Sequence, residues 1–168
     1  MTKLSRVISG GQAGVDQAAL RAARDCGLAL GGWCPPGRAS EAGTIPSDFP
    51  LRETPEERSP DAPDIPRSQR TQWNVRDSDA TLILRPETRG GKDPGTDWAR
   101  RCAELYQKPV LVCDPADSAS RDRIRRWLEA SSVRVLNVAG PGERDAPGVG
   151  DEAYALLVKV FSACSDAS

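Results

Sequence analysis

The chain has 168 residues, enough for one domain with a real core. A formal charge of −1 supplies no basic field to recruit nucleic acid or anionic lipid, and no apolar run is long enough to cross a bilayer. There is no histidine, which removes Ser-His-Asp and Cys-His nucleophiles, His-ligated zinc and the commonest general base near neutral pH.

In chain order, Leu4–Ser9 reads as a first strand rather than as a charged-then-apolar leader. From Val15 the apolar positions Val15, Ala19, Ala22, Ala23 and Cys26 keep one-face helical spacing, and Gly27 stands where a C-terminal cap belongs. Leu28–Cys34 reads as a second strand. Residues 35–66 then carry eight prolines and lose both periodicities, so they read as an irregular insertion, lid or surface coil. Regular structure resumes with a helix over Arg67–Asp77, a strand over Ala80–Leu84 and a loop over Arg85–Gly95. A helix over Thr96–Lys108, a strand over Pro109–Cys113, a helix over Ser120–Ala130 and a strand over Val133–Val138 follow. The loop Ala139–Gly150 leads into a closing helix over Glu152–Ala163.

Strands alternating with helices imply right-handed crossovers and a mostly parallel sheet of five or more strands. The expected architecture is a single α/β, three-layer, doubly wound Rossmann-like domain over residues 1–168. Ligands of such sheets bind outside the carboxyl ends of the strands. Five cysteines without C-x-x-C pairing fit a reducing, cytoplasmic setting better than a disulfide framework.

Three glycine-rich loops follow strands and should open on that edge. In the first, Gly10, Gly11, Gln12, Gly14 and Asp16 join strand to helix, where main-chain N–H groups and the helix N-terminus suit phosphate. Gln12 stands where a dinucleotide fingerprint needs glycine, and Val15-Asp16 follow Gly14 where a Walker loop needs Lys-Ser/Thr. A tight strand-to-helix turn explains the same glycines. The second loop holds Gly90, Gly91, Lys92, Gly95 and Thr96, with ordinary capping as the plain alternative. In the third, Gly140 turns the chain and Arg144 either covers a phosphate or faces solvent. Arg67, Arg70, Thr71 and Asn74 share one helical face, so Arg70 and Asn74 either donate to a ligand or form a solvated stripe. Trp33 either stacks on a planar ring or belongs to the core.

Ser-Gly-Gly-Gln-Ala-Gly-Val-Asp (9–16), Gly-Gly-Trp-Cys-Pro (31–35), Leu-Arg-Glu-Thr (51–54), the run from Arg70 to Ile83 and Leu-Asn-Val-Ala-Gly-Pro (136–141) together resemble the molybdenum-carrier family. The similarity runs in order over nearly the whole chain. It implies a Rossmann-like fold akin to the lysine-decarboxylase-like, or LOG, proteins, and a homo-oligomer, dimer or tetramer. The namesake carries molybdenum cofactor without transforming it. By resemblance, the Gly10–Asp16 and Gly91–Thr96 loops would receive the cofactor's terminal phosphate, and molybdoenzymes or cofactor-synthesis proteins would be partners. Lys92-Asp93-Pro94 lengthens the second loop relative to the family's compact form.

The leading expectation is therefore a binding and carrier protein for molybdenum cofactor (molybdopterin) or a related phosphorylated pterin or nucleotide, with no catalytic residue and no resident metal. The alternative is a nucleoside 5′-monophosphate phosphoribohydrolase like the LOG proteins. Those resemble Pro-Gly-Gly-x-Gly-Thr-x-x-Glu, whereas Arg89 precedes Gly90 here, Ala99 holds the glutamate position, and the nearest acid is Asp97.

Overall fold

The computed structural model describes residues 3–88 and 91–165. Five parallel strands form the central sheet: β1 (Arg6–Ile8), β2 (Ala29–Gly31), β3 (Ala80–Leu84), β4 (Val110–Cys113) and β5 (Val135–Ala139). Their spatial order is β2-β1-β5-β3-β4. If the last strand and its helix were moved to the front of the chain, this would read 3-2-1-4-5, the Rossmann order. The strand order reverses at β5 and β3, which pair from Ala80↔Leu136 to Ile83↔Ala139. β1 flanks them, with Ile8 opposite Asn137.

Five helices cover the sheet: α1 (Val15–Asp25), α2 (Ser68–Arg76), α3 (Pro94–Leu105), α4 (Ser120–Ala130) and α5 (Val149–Ser165). Strand side chains alternate between faces, so Leu82 and Leu84 meet α1, α4 and α5 while Ile83 meets α2 and α3. Ala18, Ala19, Ala22 and Ala23 of α1 pack with Leu157, Val160 and Phe161 of α5, all fully buried. Trp98, Ala99, Cys102 and Ala103 anchor α3 on the opposite face beside Val75 of α2. Lys108 Nζ donates to the carbonyls of Val75, Arg76 and Ser78, closing the end of α2 with a cation. Among the described residues no helix is long and apolar enough to cross a membrane.

Two expectations from the sequence change. Leu28–Cys34 is not one strand: β2 stops at Gly31, and Trp33–Cys34 pair instead with Arg52–Glu53. The break is Gly32, at φ +128°, where any Cβ would collide with the Ser9 carbonyl. The Pro-rich segment, in turn, is organised around one guanidinium. Arg38 donates to the carbonyls of Ile45, Pro46, Phe49 and Leu51, at 3.5, 2.7, 3.0 and 3.3 Å. Ile45 and Phe49 fold inward onto Leu20 and Cys34. Within it, Ala39–Ser40 and Gly43–Thr44 form a short antiparallel hairpin with Glu41 at its tip.

Candidate functional site

At the carboxyl ends of β1, β5 and β3 the chain leaves a crevice of about 280 Å³. This is where the strand order reverses, as the rule for open α/β sheets requires. Its walls come from Gly10, Gln12 and Ala13 after β1, from Asn137–Gly140, Gly142 and Asp145 around the end of β5, and from Lys92–Thr96 before and within α3. Arg67, Arg70, Thr71 and Asn74 of the α2 region close one side, and Glu41 of the hairpin reaches in from another.

The loops after β1 and β5 are zipped together. Gly14 bridges Gly142 in antiparallel fashion, and the Glu143 amide donates to Ala13 O at 3.1 Å. Gly14 has φ +109°, and a Cβ there would lie 2.7 Å from both the Glu143 nitrogen and the Pro141 oxygen. Here the glycine is required by backbone meeting backbone. The β3 loop is not next to the β1 loop in the sheet; β5 stands between them and adds its own end to the crevice.

Beneath the crevice lies a buried ion pair. Arg70 Nη1 donates to Asp16 Oδ2 at 3.2 Å, and the Gln12 amide donates to the same oxygen at 3.2 Å. Gly10 has no side chain because Arg70 crosses it; a Cβ there would overlap the guanidinium. Burial pushes the Asp16 carboxyl up, while Arg70, the Gln12 amide and Ser9 pull it back. Burial lowers the Arg70 guanidinium, and Asp16 opposes that shift.

Three atoms in this wall are buried without a partner: Gln12 Oε1, Arg67 Nε and Arg70 Nε. All three residues line the crevice. Arg67 is otherwise tied down by Glu41, whose Oε1 accepts from Nη2 at 3.1 Å. The Gln12 amide nitrogen Nε2 donates to Ala39 O at 2.9 Å, fastening the hairpin to the β1 loop.

The structure brings Gly10, Gln12, Arg70, Asn74, Lys92, Gly95, Thr96 and Gly140 to the crevice. Gly11, Gly14, Asp16, Trp33, Gly91 and Arg144 do not line it, and Gly90 lies outside the described residues. Asn74 is not a free donor: Oδ1 accepts from the Trp33 amide at 2.8 Å and Nδ2 donates to Trp33 O at 3.0 Å. Trp33 meets Trp73 edge-on at 4.8 Å, and its Nε1 donates to Asp77 at 2.8 Å. Arg144 Nη2 donates to Glu41 O at 3.3 Å.

The helix N-termini expected to seat phosphate carry carboxylates of the chain itself. Asp16 takes the Gln12 amide at α1. Asp93 caps α3 by accepting from the Thr96 amide at 3.2 Å and from its hydroxyl. Glu143 accepts from Gly148 and Gly150 at 2.6 and 2.9 Å at the start of α5. Among the side chains of the wall, the buried N–H groups left without a partner are Arg67 Nε and Arg70 Nε. Sequence reading missed Glu41, Asp93, Asn137 and Asp145 and left Arg67 out of the site. Asp93-Pro94 was legible as an N-cap followed by proline at the first helical position, whereas Glu41 has no local signal. Among the described residues no group of three or more His, Cys, Asp or Glu side chains is placed to hold a metal ion.

Comparison with known proteins agrees with the fold. Residues 7–161 match the model of the circularly permuted YpsA SLOG family. The chain is also similar to the crystal structure of a protein of Syntrophus aciditrophicus SB named "Putative molybdenum carrier protein". The two are 34% identical and superpose with a TM-score of 0.82, covering 95% of this chain and 96% of that one. No curated protein matches.

Proposed function

This chain belongs to the circularly permuted YpsA SLOG family, and from that premise we propose that it binds and carries a small phosphorylated ligand without transforming it. The ligand is molybdenum cofactor or a related phosphorylated pterin or nucleotide. The observation that carries this reading is the pair of unpartnered guanidinium N–H groups, Arg67 Nε and Arg70 Nε, in one crevice wall. A buried donor left unmade costs about 1–3 kcal/mol, and more when charged, so an anionic group that offers these guanidinium groups an acceptor is favoured there. The protein of Syntrophus aciditrophicus named for molybdenum carriage supports the choice of cargo. The loop after β3 supports carriage over cleavage. Ala99, in the place of the LOG glutamate, is fully buried in the core under α3, and Asp97 pairs with Arg85 at 2.7 Å. Neither gives the crevice a carboxylate at that position.

Mass spectrometry with metal analysis of whatever co-purifies tests the cargo, with a phosphorylated pterin and molybdenum as the expected result. Arg67→Gln should weaken retention of that ligand at least tenfold while the protein stays folded. Release of free base from AMP by the purified protein would overturn the carrier reading in favour of hydrolysis.

A further inference from the structure

Gln12 is 7% exposed, lines the crevice and holds a fixed amide orientation. Its Nε2 faces the carbonyl of Ala39, which can only accept, so a flipped amide would set oxygen against oxygen. Oε1 is thereby directed away from Ala39, buried and without a donor. The main-chain N–H of Gln12 and Arg70 Nη1 converge on the same Asp16 oxygen, and both residues line the crevice. The wall thus offers two kinds of unmet need: Arg67 Nε and Arg70 Nε lack acceptors, and Gln12 Oε1 lacks a donor.

A bare tetrahedral oxyanion meets only the first need. Sulfate and molybdate, fully ionised near neutral pH, have acceptor oxygens and no N–H or O–H to offer. Such an ion would leave Oε1 buried and unpaired, and it is the unmade bond, more than the made one, that discriminates between ligands. The opening of about 280 Å³ also approaches the size of pockets that take organic ligands, which begin at about 300 Å³.

Building on the carrier reading above, we infer that Gln12 is a specificity-determining residue. Its Oε1 accepts a hydrogen bond from an N–H or O–H that the ligand carries beside its anionic group. The crevice therefore takes organic phosphates bearing such a donor and turns away bare oxyanions, molybdate included. Hydroxyls of a sugar or pyran and the ring N–H and amino groups of a guanine- or pterin-like base all belong to the required donor class.

Isothermal titration of the full chain with two probes, guanosine 5′-monophosphate and sodium molybdate, tests this. Wild type should bind the nucleotide at least tenfold more tightly than molybdate. Gln12→Met keeps length and removes the acceptor, so it should weaken nucleotide binding about tenfold relative to molybdate binding, closing most of the gap. Equal affinity of wild type for both probes would overturn the inference without any variant, so it stays testable even if Gln12→Met loosens the hairpin. An unchanged affinity ratio in a folded Gln12→Met protein would overturn it as well. If the probes bind equally but Arg67→Gln weakens both, the inference alone falls. If neither probe binds, the inference falls, while the carrier reading stands or falls on the ligand that co-purifies.

Discussion

The two ends of α1 bury their residues for opposite purposes. Ala18, Ala19, Ala22 and Ala23 present small, fully buried apolar side chains to the cluster that α5 shares. One turn earlier, Asp16 is just as deeply buried at 2% exposure, yet its partners are Arg70 and the Gln12 main-chain N–H, both on residues that line the crevice. The first region supplies cohesion because its contacts are complete. The second, on the reading proposed above, would supply recognition because its hydrogen bonding is not. A buried polar group with an unmet bond raises the free energy of the empty protein, and a ligand that meets it recovers that energy as affinity.

The largest expected effect lies in the apolar seam. Phe161→Ala should lower unfolding free energy by about 4 kcal/mol, seen as a shifted urea midpoint, with ligand affinity of the folded fraction unchanged. A loss of affinity on the same scale would show that seam and crevice are one unit and would break the distinction.

The polar end should behave differently. Asp16→Asn leaves Arg70 buried without its counter-charge and should cost about 3 kcal/mol, while the freed guanidinium binds a phosphate monoester more tightly. Stability and affinity then move in opposite directions, which no seam mutation should do. Replacing both partners with Leu at 16 and Met at 70 should regain most of the stability and abolish anion binding. A double variant that still binds phosphate would remove Arg70 from the site.

The smallest effect sharpens the contrast from the exposed side of α2. Asp77 is held below the usual carboxylate range, chiefly by hydrogen bonding from Arg76 against the upward push of burial, with the Trp33 indole adding a smaller pull downward. With its folded value below the unfolded one near 3.9, its contribution is present above that unfolded value and fades as pH falls through the folded one. Its side chain is 42% exposed, so Asp77→Asn should change stability at neutral pH by only a few tenths of a kcal/mol. Thermal melts at pH 7 and pH 3 check it: the difference from wild type should shrink at the lower pH.

Much of the fold was legible because it rests on local patterns. The largely apolar run Ala80–Leu84, the α1 stripe ending at Gly27 and the family resemblance over nearly the whole chain were all readable, and the family match over residues 7–161 bears the resemblance out. The helix α3 begins two residues before the expected Thr96 because Asp93 caps it and Pro94 fits its first position. The Pro-rich segment gave no periodicity to read. Its order comes from Arg38 gathering four carbonyls contributed from Ile45 through Leu51, a pattern with no sequence spacing of its own.

The site was legible in part for the same reason. Glycines after strands announced where the backbone must turn, and alternation of strands and helices announced that these turns share one edge. By itself the sequence determined the α/β class, the absence of histidine chemistry and the candidate loops, since each is a matter of composition or short-range periodicity. Only the tertiary structure decided the rest. It put β5 between β1 and β3, used Asn74 to hold Trp33, set the chain's own carboxylates at three helix N-termini and left Gln12, Arg67 and Arg70 with unmet bonds in one wall. Whether a polar side chain has a partner depends on groups distant in sequence that arrive beside it in space, and local pattern does not encode those meetings.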